Sequence, residues 1–319
     1  MQPTIEELPT TRLPGGRPWW FRPSVREAFW GVVFVSPWLI GLVLFTAGPM
    51  LASLLMSLTD FNLVRPESTQ FVGLDNYVRL ANDPTIAQSL VATLKFALIA
   101  IPVTMLASLG FALLLNHPRL PMKGPLRALV YMPVMIPLVA STLVWIGFLN
   151  TETGWLNQIL GSLGLPEPDW INSETWIYPT LSIIGLWAIG NFMIINIAGL
   201  QSVPTELYEA ARIDGAGAWR AFRNITIPLM SPVLFYNLVI VLIGTFQYFT
   251  QAYVLTNGRG DPNNATLFIN LVLFREGFIF NHMGYAAAIA WLLFVIVLGL
   301  ALLLFGFARR RVYYAGDDR

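Results

Sequence analysis

The sequence predicts an all-α, polytopic membrane protein with six transmembrane helices, and three observations predict it. Hydrophobic residues make up 55% of the 319 and charged residues only 12%, with a mean hydropathy of +0.62. A soluble domain needs about twice that share of charge to cover its surface. Six apolar stretches, each long enough to cross a bilayer, recur along the chain. The charges that remain gather between those stretches, leaving Lys95 as the one cation inside them.

In chain order, residues 1–26 are rich in Pro, Arg and Thr and read as a disordered cytoplasmic tail. A signal peptide is disfavoured, because the apolar run that follows is long and no small-residue cleavage site closes it. A transmembrane domain over 27–310 follows. Its first span covers 30–58, interrupted by Pro37 and Pro49. A polar segment leads to the second span, 89–116, in which Lys95 is close enough to one end to snorkel to the interface. The third span, 127–149, is entered through Pro125, Pro133 and Pro137, so its entry is expected to be kinked or partly unwound. The fourth is 176–200, the fifth 228–255 and the sixth 284–307, and 311–319 form a short tail.

Lys and Arg in the flanks set the orientation. Fourteen fall in the two tails, the loop near 120 and the segment 202–226, against Arg65, Arg79, Arg259 and Arg275 in the alternate loops. Both termini and the 202–226 segment are therefore expected in the cytoplasm. The opposite loops carry Asp60, Asp75, Glu152, Asp169 and Glu174, read either as a solvated face or as a docking surface.

Chemistry is sparse. With no cysteine there is no disulfide, thiolate nucleophile or cysteine metal site. His117 and His282 fall on opposite membrane faces and cannot share a metal. There is no G-x-x-x-x-G-K-[ST] loop, H-E-x-x-H or G-x-S-x-G, so no ATP hydrolysis or other catalysis is expected of this chain, and no cofactor. Nothing in a net charge of +1 points to nucleic acid.

The densest signal is the polar island 202–226. Ser202, Pro204 and Glu206 form a helix-start signal, and Leu207, Ala210, Ala211 and Ile213 set apolar contacts among charges. Gly215 permits a turn, and Trp219, Phe222 and Ile225 recur at helical spacing after it. A helix, a turn and a second short helix would present an apolar ridge edged by charge, a shape suited to a groove on another protein. The plainer alternative is an amphipathic loop with helical propensity.

This island resembles the signature of the permease subunits of bacterial ABC importers: E-A-A, three residues, Gly, nine residues, Ile, one residue, an aliphatic, Pro. Here it reads Glu209, Ala210, Ala211, Gly215, Ile225, Ile227 and Pro228. Asp214 before Gly215 and the preceding GLQSVP, 199–204, are similar to the carbohydrate-uptake branch, which contains the larger subunit of maltose importers. The VGLDNY of 72–77, the LTNG of 255–258 and the MGYAAAI of 283–289 extend the resemblance over about 30–310. The chain departs from the family's T-x-G-G-P with Gly258, Arg259, Gly260, Asp261 and Pro262.

The resemblance implies a type I ABC importer permease fold in a bacterial inner membrane. It makes the island a pair of coupling helices, in which Glu209, Ala210, Ala211, Asp214 and Gly215 meet a cytoplasmic ATPase that binds the ATP. It also implies partners: a second permease subunit, two ATPase subunits and an extracytoplasmic sugar-binding protein. Alternating access would carry a sugar, for which hydroxyl-matching and aromatic groups are needed near the midplane. Val241, Thr245 and Tyr248 fall at i, i+4 and i+7 on the fifth span, with Gln247 and Gln251 beside them, and Trp187, Gly190, Asn191 and Ile194 share a face of the fourth. Matching to maltose-type permeases adds Val134 and Leu138 at the third-span kink. Each of these residues could equally pack helix against helix. A glycerol-phosphate or polyol importer of the same build is the alternative, and an ATP-independent carrier a more distant one.

Overall fold

The computed structural model describes residues 23–308, so the 311–319 tail and most of the 1–26 tail lie outside the described residues; residues 23–26 already belong to the first helix. The chain divides into two compact units, residues 1–53 and 54–319. The first unit contains α1 (Pro23–Leu42), a π turn at Val43–Ala47 and most of α2 (Gly48–Met56). Together these make an apolar rod over Arg26–Met56, 31 residues long.

The second unit holds the rest. α3 (Asp75–Asn82) leads into α4 (Pro84–Asn116), a 33-residue helix capped by the Asp83 carboxylate, which accepts from the Thr85 N–H at 2.8 Å. It starts earlier than the sequence suggests, which leaves Lys95 about three turns from its first residue, and exposed. Then come α5 (Lys123–Tyr131), a 3-10 turn at Met132–Met135, and α6 (Leu138–Phe148). Beyond α7 (Trp155–Ser162) follow α8 (Ile177–Leu186) and α9 (Gly190–Gln201), then α10 (Thr205–Ile213) and α11 (Ala218–Ala221). The chain ends in α12 (Ile227–Phe246), α13 (Thr250–Thr256), α14 (Ile269–Phe274) and α15 (Met283–Ala308).

Among the described residues, four helical rods are long and apolar enough to cross a membrane, and six spans result if two bent pairs count as one span each. All-helical spans are what a bilayer requires, since each backbone polar group must be satisfied within its own segment. At the third span, where a kinked or partly unwound entry is expected, Lys123–Met135 and Leu138–Phe148 meet at 100°, because Pro133 and Pro137 remove N–H donors within one turn. The fourth, expected to be continuous, bends by 60° between α8 and α9.

Two other prolines are accommodated differently. The π turn Val43–Ala47 ends two residues before Pro49, and a second, Phe222–Thr226, ends two before Pro228. A widened turn takes up the space the pyrrolidine needs, so the helix runs on. The fifth span consequently extends from Ala218 to Thr256, 39 residues, and absorbs α11.

α4 is the central post, packed against α8, α9, α12 and α14. Near its C-terminal end Ala112 and Leu115 meet Met193, Ile197 and Met230, and Tyr208 and Ile225 of the island pack on that cluster. Midway, Phe96 meets Ile177, Leu181 and Phe268.

At the end away from the island, a knot closes the bundle. Asn76 donates to the carbonyls of Ser57 (2.9 Å) and Thr59 (2.8 Å), and the Tyr77 hydroxyl pairs with the Ser57 hydroxyl at 2.7 Å. Gly284 lies so close to the Thr59 carbonyl that a Cβ would overlap it. The Tyr285 hydroxyl donates to Asp83 at 2.9 Å while the Arg79 guanidinium stacks 3.7 Å from its ring centroid. Glu276 joins Arg79 (3.4 Å) to His282 Nδ1 (2.9 Å). Partial burial raises the Asp83 pKa, but the Thr85 N–H and the Tyr285 hydroxyl outweigh it and hold the carboxyl below its ordinary value.

Candidate functional site

The island folds much as its residues suggest, with two corrections. α10 is preceded by Pro204, and no side chain caps it. Ser202 instead closes α9, its hydroxyl donating to the Gly199 carbonyl at 2.8 Å. The second half of the island is not a separate short helix: α11 continues through the π turn into α12.

Gly215 makes the turn at φ +73°. Its N–H donates to Arg212 O at 3.0 Å and the Ala216 N–H to Ala211 O at 2.8 Å, the paired bonds of a helix end that needs a left-handed residue. Nothing stands within 4 Å of where a Cβ would go, so glycine is required by backbone and not by space. Asp214 caps α10 at this turn and is exposed.

Glu209 and Arg212, a turn apart on α10, line an open cleft of about 860 Å³ together with Asn116, His117, Tyr208 and Phe222. Outside the cleft lining, Ile213 is 87% exposed and Trp219 71%, with the Trp219 ring stacked on Phe222 at 5.6 Å. Ala210 is exposed and Ala211 half-buried. The bond that ties the two halves, Tyr208 hydroxyl to Thr226 hydroxyl at 2.9 Å, carries no sequence signature beyond two polar residues in an apolar setting.

The pathway residues are only partly brought together. Gly190 is buried with Tyr131 and Val134 against it: a Cβ would sit 2.8 Å from Tyr131 Cα and 3.0 Å from Val134 Cγ2. The glycine thus serves the approach of the 3-10 turn to α9. Leu138 opens α6 just past the 100° bend and is exposed. Asn191 lines an open cavity of about 370 Å³ with Tyr131, Ile194, Tyr236 and Ile240.

Val241 and Thr245 turn away from that cavity: both are buried, and the Thr245 hydroxyl donates to Val241 O at 2.7 Å. Tyr248 leaves their stripe because α12 stops at Phe246. Its ring packs on Phe96 (4.7 Å) and Phe268 (5.7 Å), and its buried hydroxyl has no partner among the described residues. Trp187 likewise leaves the face of Gly190 and Asn191, since the α8–α9 break falls between them. Tyr236 and Ile240, a helical turn apart, are the wall that stripe counting missed; with Phe235 and Phe246 on the same helix, nothing in the sequence singles Tyr236 out. Among the described residues no group of three His, Asp or Glu is arranged to hold a metal ion.

Comparison with known proteins adds the following. Residues 100–313 match the family model described as "Binding-protein-dependent transport system inner membrane component". The chain is 35% identical to the probable ABC transporter permease YesP of Bacillus subtilis, covering 90% of this chain and 93% of that one. It is 33% identical to the lactose transport system permease LacF of Rhizobium radiobacter, over 88% and 94%. To the trehalose/maltose transport system permease MalF of Thermococcus litoralis it is 35% identical, over 86% and 91%. Among solved structures, a chain of a bacterial alginate ABC transporter, crystallised with a pentasaccharide-bound periplasmic protein, shares the fold. Its TM-score is 0.76 at 22% identity, over 92% of this chain and 97% of that one.

Proposed function

The chain belongs to the binding-protein-dependent transport inner membrane components, multi-pass membrane permeases and not enzymes, and from that premise we propose that it is one permease subunit of an ATP-driven sugar importer. The observation that carries the sugar is the run of relatives named for lactose, trehalose/maltose and arabino-oligosaccharide systems, each similar along more than four-fifths of this chain. The cavity agrees: two tyrosines, an amide and aliphatic walls, with no charged side chain, suit a neutral hydroxylated ligand better than a phosphate.

In this reading both termini and the island face the cytoplasm. The ridge at Ile213 and Trp219 and the Glu209 cleft receive an ATPase subunit, of which the assembly holds two. A second permease subunit faces the side of the exposed Ile194 and Tyr236, and an extracytoplasmic binding protein delivers the sugar. Closure of the ATPases pushes the island, the bundle rocks about the bends at Pro133–Pro137 and Ile189, and the Asn191 cavity opens to one side and then the other.

The test is uptake into proteoliposomes holding the complex purified from its native membrane. Labelled trehalose, maltose, lactose and arabino-oligosaccharide are offered alongside glycerol 3-phosphate, with and without ATP inside the energised compartment. ATP-dependent uptake of one of the sugars is the expected result. Uptake of glycerol phosphate alone, or uptake that ignores ATP, would overturn the reading.

A further inference from the structure

Three side chains in the bundle interior remain outside the island and the cavity. Ser108 of α4, Asn196 of α9 and Asn237 of α12 are each 0% exposed. Asn237 Nδ2 donates to Asn196 Oδ1 at 2.9 Å, Asn196 Nδ2 donates to Ser108 Oγ at 3.1 Å, and the Ser108 hydroxyl donates to Met105 O at 3.1 Å. The result is a ladder of amides across three helices. Asn237 Oδ1 has no partner among the described residues, so the ladder is retained although it leaves a buried acceptor unpaired.

Its position along the chain gives it a meaning. α9 is the helix that leads into the island, and α12 is the helix that leaves it, continuous with α11. Nearer the island, Gly199 of α9 admits Val233 of α12 so closely that a Cβ would lie 3.0 Å from it, and within the island the Tyr208 and Thr226 hydroxyls bond at 2.9 Å. Asn196 and Asn237 make the deeper tie between α9 and α12 themselves, and unlike the Gly199–Val233 contact its geometry is directional. Apolar contacts survive a small slide, whereas one residue of register is a rise of about 1.5 Å, enough to break a 2.9 Å amide bond.

Resting on the coupling role given to the island above, we propose that the Asn237–Asn196–Ser108 ladder is a positioning device: it makes α9 and α12 move as one lever when the island is displaced, and registers that lever on α4. A simpler structural role, amides holding helices together, would show in assembly alone. A positioning role shows in whether two rods respond together.

The chain has no cysteine, so single reporters are clean. Ile194→Cys on α9 and Ile240→Cys on α12 both line the Asn191 cavity. Each is placed in the complex with its ATPase subunits, and maleimide labelling is timed with and without ATP plus vanadate. Without other changes, both rates should shift with nucleotide, roughly fivefold or more, as the cavity changes access. In the Asn196→Leu/Asn237→Leu background the ATPase should still co-purify and trap nucleotide, but the two reporters should no longer shift together, with the response of one reduced to about twofold or less. Ser108→Ala, a smaller change, should lower both responses equally.

If both reporters respond in the leucine background as they do without it, the ladder does not position the lever. Loss of co-purification in both the leucine and the Ser108→Ala backgrounds would assign it to assembly alone and equally overturn the proposal. A failure of the coupling reading itself looks different, because neither reporter would respond to nucleotide even with the ladder intact.

Discussion

The two ends of the bundle are built on opposite plans. At the far end the segment 57–85 is stitched to 276–285 by backbone bonds from Gly284 N–H to Phe61 O (3.0 Å) and from Leu63 N–H to Asn281 O (3.4 Å), a stacked guanidinium and a glycine with no room for a methyl group. At the island end a charged helix with an exposed Ile213, and Trp219 beyond it, meet the bundle through the contacts of Tyr208 and Ile225. The far end pairs polar side chains with one another and with backbone inside the chain, whereas Glu209, Arg212 and Asp214 of the island are exposed, as in an element completed by a partner.

Gly284→Ala sets the largest contrast. A methyl group there meets the Thr59 carbonyl, which is backbone and cannot rotate away. A loss of about 2–3 kcal/mol is expected, read as a sharp fall in the melting temperature of the purified complex. The matching change at the island, Gly215→Pro, demands φ near −65° where the chain has +73°. It should abolish ATP-driven uptake while membrane insertion persists, and Glu209→Lys should do the same by reversing a charge on the cleft. If either island variant takes up sugar at the unmodified rate, the island is not the partner surface and the contrast collapses.

Asn76→Leu comes next. It removes the donor to two carbonyls at the far end and should cost about 2–3 kcal/mol in stability, with transport per ATP unchanged in the surviving complex. Uncoupled ATP hydrolysis in this variant would show that the far end takes part in the stroke.

Much of this was legible in the residues, and the parts that were not share a cause. Apolar length gave the spans, and the spacing of Glu209 and Gly215 gave the island, because each depends on neighbours in sequence. Val241 and Thr245 keep their stripe, whereas Tyr248 leaves it because stripe counting assumes an unbroken helix and α12 stops at Phe246. The 60° bend before Gly190 escaped for the converse reason: no proline lies in the break, and its position follows from packing against Tyr131 and Val134. Prolines alone do not decide either, since Pro133 and Pro137 break a span while Pro228 is carried through a π turn.

The smallest expected effect probes the far end through its charge. Asp83 caps α4 and accepts from the Tyr285 hydroxyl, with Arg79 nearby. Its pKa in the folded protein lies below the ordinary value, so the unfolded chain binds the proton more readily. The stabilisation is therefore complete above about pH 3.9 and is lost as pH falls through the lower, folded-state pKa. Asn is as good a cap as Asp, so at neutral pH Asp83→Asn should cost no more than about 1 kcal/mol, the share of the ionic contacts. The informative quantity is the difference in melting temperature between the two proteins as pH is lowered from 6 toward 3, since other titrating groups cancel in it. That difference should shrink toward zero at the acid end. A gap independent of pH would mean that packing and not charge holds Asp83 in place, and Tyr285→Phe, which keeps the ring under Arg79 but removes the hydroxyl, would then cost nothing measurable.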